Sequence, residues 1–368
     1  MQYRQFFQSQ RLSPPHKSWL KYAGISTLIL AVLGYWLTPV LAKFYLNHFI
    51  LADIGNYTGR VERIRLNLLH GSYVLKDLTI FRVGGNQQVP FFKVKEFSVY
   101  LSWEALTEGA ILVSATLNQP QLNFLDAKKE SKRQSGAGGN WLVTFENLIP
   151  TTLHELKIQN GKLSFQNFDT QPKVELTATQ ISGTLTNLTN VKDKQGKRVA
   201  EAYAQAQLLD NAEVTARAKF DPFDYNDFDF AAQIKNLHLP KINSFSQAYG
   251  NIDFEDGSGD VFCEIKAQSG EITGYIKPLF SDVNILSWKQ DVEQQQDNPL
   301  QLLWEGGLGF VKTLFTSADS EQVASKIEIS GSVDQAKIDS WQAIASFIKN
   351  AFSDALEKQF DHYTSLTK

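Results

Sequence analysis

Arg63-Ile64-Arg65-Leu66-Asn67-Leu68 decides the fold class. Polar and apolar side chains alternate without a break, the two-residue period of a strand with one face buried and one wet. Tyr73–Ile80, Phe91–Ser102 and Ala110–Leu117 repeat the period, with Gly71, Gly84-Gly85 and Gly109 between them. Gln119-Pro120-Gln121 is expected to break the next strand, which resumes through Leu122–Leu125. Ser102–Gly109 (SWEALTEG) reads as one helical turn ended by glycine. In Ile158-Gln159-Asn160-Gly161-Lys162-Leu163 an Asn-Gly pair stands between alternating runs, which predicts a tight hairpin within Leu153–Phe168. Alternation returns at Val174–Thr179, Ile181–Leu185, Val199–Leu208, Val214–Phe220, Phe228–Ile234, Val261–Ala267, Glu271–Ile276 and Lys326–Val333. Leu239–Ala248 reads as a short helix. Few runs are apolar throughout and the links are short, so the sheet is expected to be antiparallel.

Toward the N-terminus the period changes. Tyr22–Ala42 (YAGISTLILAVLGYWLTPVLA) holds no charge and is bracketed by Lys21 and Lys43. A helix of this length spans about 31 Å, matching the roughly 30 Å hydrocarbon core of a bilayer. Tyr22, Leu28, Leu30, Val32, Leu33, Trp36, Leu37 and Val40 are the candidate anchor residues, and Pro39 falls in the last turn. Residues 1–21 carry Arg4, Arg11, Lys17 and Lys21 with no acid. That asymmetry predicts a cytoplasmic N-terminus and an exported bulk. The rival is a signal peptide cleaved after Ala42 at Val40-Leu41-Ala42. The long basic region before the apolar run, and the length of the run itself, favour an anchor.

About 325 residues follow the anchor, enough for one large or two ordinary domains. The net charge of −3 gives no basic footprint for nucleic acid. A single cysteine, Cys263, excludes an intramolecular disulfide, and 25 phenylalanines must find an apolar surface to bury. Asp126–Asn140 (DAKKESKRQSGAGGN) has no apolar period and reads as a flexible loop; Lys289–Pro299 is a second polar break. Leu300–Phe315 is apolar but interrupted by glycine, too short to span a membrane. Trp341, Ile344, Ile348, Phe352 and Leu356 share one helical stripe, which predicts a C-terminal amphipathic helix packed on the sheet or lying on a membrane.

The chain thus divides into a cytoplasmic tail (1–21), a transmembrane helix (22–42) and a helical stalk (43–56). A first part of the sheet (57–125), the loop (126–140), a second part (141–288), a linker (289–299) and a C-terminal segment (300–368) follow.

Residues for chemistry are sparse. The six histidines stand apart, without H-x-x-H or H-E-x-x-H spacing. No serine lies in G-x-S-x-G, and Gly306-Gly307-Leu308-Gly309 does not follow a strand in a βαβ unit. Asp221, Asp224, Asp227 and Asp229, and Asp253, Glu255, Asp256 and Asp260, are acidic clusters. Glycine stands at the wrong offset for a calcium loop, so they read as solvated turns. No catalytic, cofactor or metal residue is expected.

The order of these motifs resembles bacterial AsmA-like proteins, and within them the family called domain of unknown function 748. The resemblance runs from the anchor and Pro39 through Tyr57-Thr58-Gly59-Arg60-Val61, Ile64–Leu68, Gly71–Ile80, Pro90-Phe91 and Trp103–Gly109 to Asn118–Pro120. It continues in Asn160–Phe165, Leu185–Thr189 and Gly270–Pro278, nearly the whole chain. It implies a mainly β fold, a long curved antiparallel β-sheet forming a β-groove, with a few short helices. It also implies a non-enzymatic protein of the inner membrane and periplasm, engaged in outer-membrane biogenesis and lipid transport. Phospholipid acyl chains are the implied cargo. The open alternative is a protein-interaction scaffold of the envelope with a dry core, and an exported hydrolase is a third reading.

Overall fold

The computed structural model describes residues 16–67, 70–107, 112–148, 153–188, 199–221, 224–250, 252–288, 322–324 and 327–332. One helix, α1 (His16–Tyr45), carries the apolar run and contains Pro39. A wider π-turn over Leu46–Ile50 follows, closed by the Leu51 N–H on the Leu46 carbonyl at 2.7 Å. Asn47 ties this turn to the sheet edge. Its Nδ2 donates to the Val61 carbonyl at 3.0 Å, and its Oδ1 accepts from the Val61 N–H at 2.8 Å.

The alternating stretches form β1 (Tyr57–Arg60), β2 (Arg63–Asn67), β3 (Ser72–Arg82), β4 (Phe92–Leu101) and β5 (Val113–Asp126). Then come β6 (Leu153–Asn167), β7 (Val174–Leu188), β8 (Ala200–Leu208), β9 (Ala212–Asp221), β10 (Asp224–His238), β11 (Ile252–Gln268), β12 (Glu271–Trp288), β13 (Gln322–Ala324) and β14 (Ile327–Ser332). The helices between them are α2 (Trp103–Thr107), α3 (Trp141–Leu148) and α4 (Asn243–Gly250). All fourteen described strands belong to one open sheet. Each edge is built from two short strands in tandem: β1 and β2 along β3, and β13 and β14 along β12.

The pairing is antiparallel with one correction. β5 and β6 run parallel, from Val113 beside Leu153 to Asp126 beside Asn167. A parallel pair needs a return path, and the connection that carries α3 supplies it. The expected flexible loop is part of this connection, and it is tied down. The Gln134 N–H donates to the Leu125 carbonyl at 2.6 Å, and its side-chain amide to the Asn123 carbonyl at 2.9 Å. Gly138 accepts from the Asn56 N–H at 2.7 Å, and its φ of 73° lies in the left-handed region that favours glycine.

Two expected breaks are not breaks. β5 continues through Gln119-Pro120, and β6 through Asn160-Gly161, where a hairpin was expected. Both sites are left-handed kinks; the register with β7 shifts around Asn160, whereas β5 stays in step with β4 through Gln119. Gln119 and Asn160 have φ of 55° and 51°, and they stand side by side, between the pairs Asn118–Gln159 and Gln121–Lys162. Asp77 on β3, Gln180 on β7, Asn236 on β10 and Asp282 on β12 share the left-handed conformation, with φ of 55°, 52°, 57° and 55°. The physical reason lies in the apolar phase. Leu75 and Leu78, Leu117 and Pro120, Ile158 and Gly161, and Ile234 and Leu237 are each an odd three residues apart. A regular strand would send the two members of each pair to opposite faces. A left-handed residue between them reverses the alternation and returns both to one face.

The result is one apolar face that crosses the sheet. On β3 to β6 it carries Leu75, Phe97, Leu117 and Ile158 in register. This half is buried. The post-helical Leu51 and Ile54 and the α3 residue Leu148 join Leu78, Val94, Val99, Val113 and Leu156 in one core. Tyr57, Phe91 and Trp141 close it with ring centroids 4.8–5.1 Å apart. Aromatic groups at that separation pack in favourable tilted contact.

Candidate functional site: an anchor helix and an open apolar face

The anchor residues sit where the sequence places them. All eight, Tyr22, Leu28, Leu30, Val32, Leu33, Trp36, Leu37 and Val40, are exposed, Trp36 at 75%. Within the span Tyr22–Ile50 nothing of the most apolar window is buried. A core helix of a water-soluble domain buries its apolar stripe, and this helix does not. It is long and apolar enough to cross a membrane. The C-terminal stripe (Trp341, Ile344, Ile348, Phe352, Leu356), the polar linker Lys289–Pro299 and Leu300–Phe315 lie outside the described residues.

On β7 to β11 the apolar face continues with different chemistry. Gly183, Ala204, Ala216, Ala232 and Cys263 stand side by side across five strands. Leu185, Ala202, Ala218, Phe230 and Ile265 form the row on one side of them, and Ala206, Val214, Ile234 and Val261 the row on the other. Ala202, Ala204, Ala216, Ala218, Phe230 and Ala232 belong to no buried apolar cluster and are only half-buried. Where helix covers the first half, small side chains and open surface mark the second.

Among the described residues α4 covers one end, and a small buried cluster of Ala267 and Ile272, with Phe228 and Ile265 packed on it, closes the other. α4 meets both β7 and β11, strands that would lie roughly 19 Å apart in a flat sheet at ~4.8 Å spacing, so the sheet bends round it. Its Phe245 ring packs on Phe165 of β6 at 6.0 Å. The Asn243 amide holds the Phe254 backbone in both directions, at 2.8 and 3.0 Å. Leu237, Leu239, Phe254 and Ala212 close a second small core there.

The opposite face of β7 to β12 is polar and frames a groove of about 810 Å³. One row of its lining is Thr186, Glu201, Lys219, Asp229, Lys266 and Thr273; the next holds Thr184, Tyr203, Arg217, Ala231, Glu264 and Tyr275. The sequence expectation was an apolar groove. The lining also takes in Ala202, Ala218, Phe230, Ile265 and Gly274, the row that runs between those two across β8 to β12. Acids and bases alternate along the first row and pair, Lys219–Glu201 at 2.7 Å and Lys266–Asp229 at 3.7 Å. Such exposed pairs contribute about 0.2–1 kcal/mol each. The hydrogen bond to Glu264 pushes the Tyr275 hydroxyl above its ordinary value, with burial and the Glu264 charge adding to it. Burial, then the Glu264 charge, pushes the Cys263 thiol up as well, which disfavours the reactive thiolate.

Among the described residues no three histidine, cysteine, aspartate or glutamate side chains converge as metal ligands. The acidic clusters lie in strands rather than turns: Asp221 ends β9, Asp224, Asp227 and Asp229 are in β10, and Asp253, Glu255, Asp256 and Asp260 are in β11, where the Asp260 carboxylate accepts from the Asn236 N–H at 3.0 Å beside the β10 bulge. Sequence reading missed α3, the β5–β6 crossover and the left-handed kinks. The odd spacing of apolar residues was the available signal for the last of these.

A scan against models of known protein families finds no match, and a search of curated proteins finds none.

Proposed function

We propose that this chain is a non-enzymatic protein of the bacterial inner membrane, with its N-terminus cytoplasmic and its sheet in the periplasm. The apolar face of the sheet holds or passes phospholipid acyl chains in outer-membrane biogenesis. One observation carries the reading: the apolar phase is kept on one face through every left-handed kink and extends across β7 to β11, beyond the helices that cover it among the described residues. Apolar side chains left half-buried along a face are unfavourable in water and favourable against an acyl chain. The motif order that resembles AsmA-like proteins points the same way, and the exposed apolar helix α1 supplies the membrane.

The test compares the two faces of the same strands. A photoreactive phenylalanine analogue replaces Phe230 on the apolar face, or Tyr203 on the polar face, in the full chain in cells. Irradiation is expected to give phospholipid adducts at 230 and few at 203. Protein adducts alone at 230 would favour the scaffold reading and reject the lipid one.

A further inference from the structure

We propose that Phe44, Tyr45, His48 and Phe49, at the end of α1 and in the π-turn, lie in the headgroup layer of a phospholipid bilayer, and that Arg63 and Arg65 of β2 reach its phosphates. This seat rests on α1 crossing the membrane, as proposed above, and not on the sheet carrying lipid. The apolar span does not stop at Ala42. It runs from Tyr22 to Ile50, 29 residues in which Lys43 is the only Lys, Arg, Asp or Glu. At 1.5 Å each they measure about 43 Å, the roughly 40–45 Å of a bilayer with its headgroups rather than the ~30 Å of its hydrocarbon core. The last turns therefore fall at headgroup level. The folded sheet begins at once beyond them, with Leu51 and Ile54 fully buried in the core of the first half.

Side chains at this helix end divide between two surroundings. Leu46 and Ile50 pack on that core. Phe44, Tyr45 and Phe49 point away and stay 54, 56 and 66% exposed. They still hold one another: Phe44 stacks on His48 with centroids 4.2 Å apart, Tyr45 on Phe49 at 5.4 Å, and Phe44 meets Phe49 edge-on at 6.3 Å. The His48 Nδ1 lies 2.9 Å from the Phe44 carbonyl. Water disfavours so much exposed ring surface, and the hydrocarbon interior disfavours an imidazole and a phenol. The headgroup layer accepts the apolar body and the polar tip together. β2 supplies the charge. It packs beside α1, so it stands level with these turns. Arg63 and Arg65 are both exposed. Arg63 shares Asp77 at 3.8 Å, whereas the residue opposite Arg65 in the ladder is Val74. A guanidinium fork left open in this way binds a phosphate through two parallel hydrogen bonds.

The test is nitroxide depth, measured on the full chain in vesicles of phosphatidylethanolamine and phosphatidylglycerol. In a Cys263→Ser background, Leu30→Cys, Phe44→Cys, Phe49→Cys and Tyr203→Cys are spin-labelled singly; all four native side chains are exposed, so the labels spare the cores. Collisions with oxygen and with a water-soluble nickel chelate are compared. The label at Leu30 is expected to read the hydrocarbon interior, those at Phe44 and Phe49 the headgroup level, and that at Tyr203 water. Arg63→Glu with Arg65→Glu is expected to raise nickel collisions at Phe49 about twofold or more and to leave Leu30 unchanged. Water values at Phe44 and Phe49 with interior values at Leu30 would overturn the seat and leave the crossing. Water values at Leu30 would overturn the crossing and the seat with it. Labels at Phe44 and Phe49 closed to both reagents would put protein on the rings, and unchanged collisions at Phe49 in the double variant would remove the phosphate contact; either result overturns the proposal. Lipid carriage is read separately, by the adduct at Phe230.

Discussion

The two halves of the sheet share one alternating pattern and treat it differently. In β1 to β6 the apolar residues are large, and the post-helical turn, α3 and the 126–140 loop cover them: Val94 and Ala115 have no exposed surface. In β7 to β11 the same face is floored by glycine, alanine and cysteine, and among the described residues α4 covers one end while Ala267 and Ile272 are buried at the other. Alternation therefore specifies a strand and a face, but side-chain size and the connections decide whether that face becomes a core or a surface. The first half packs the turn after α1 into its core; the second is left half-buried.

Breaking the phase separates the halves most sharply. Deletion of Asp77 removes the left-handed residue that returns Leu78 and Ile80 to the buried face. Two large side chains then lose burial, and urea unfolding is expected to show a loss of about 3–6 kcal/mol. Truncating core rings comes next. Trp141→Ala is expected to cost about 3–5 kcal/mol, whereas Phe230→Ala in the open half costs below ~1.5 kcal/mol. Equal losses at the two positions would erase the distinction. Asn47→Ala removes both hydrogen bonds between the π-turn and Val61. It is expected to lower stability by about 1–3 kcal/mol and to speed amide exchange at β1 and β2 while leaving β9 and β10 unchanged.

The smallest effect is at Tyr73, whose hydroxyl donates to the Leu148 carbonyl beneath α3. Burial raises its pKa above the ordinary 10.0, so the neutral form is the folded one. Its contribution is complete below pH 10 and falls as the unfolded chain ionises above it. Tyr73→Phe is expected to cost about 0.5–1.5 kcal/mol at neutral pH and to flatten the alkaline loss of stability above pH ~10. An identical alkaline slope in the variant would show that the burial of this hydroxyl is not coupled to folding.

Much of this architecture was legible. The uncharged run from Tyr22 marks the exposed helix, and strict alternation marks most strands to within a few residues. Asn160-Gly161 misled because the dipeptide satisfies a hairpin turn and a bulge equally, both of which want a left-handed residue. What separates them is phase: Ile158 and Leu163, five apart, can share one face only if the strand runs on with an extra residue. Gln119-Pro120 misled for a related reason, since a left-handed residue lets the strand run on through the proline. α3 was hidden by the glycine-rich run before it, and the parallel β5–β6 pair could not be read from either strand alone. The polar groove has no sequence signature, because its rows come from six strands that only the register brings together.

The most direct test of the whole account is footprinting of the full chain in bilayers with a lipid-soluble carbene reagent, read residue by residue. Phe230 is predicted to label several-fold more than Val94 and Phe97, on the same face of the same sheet, and more than Tyr203 and Lys219 behind it. Equal labelling of Phe97 and Phe230, or none at either, would contradict the claim that one half of this apolar face is sealed and the other open.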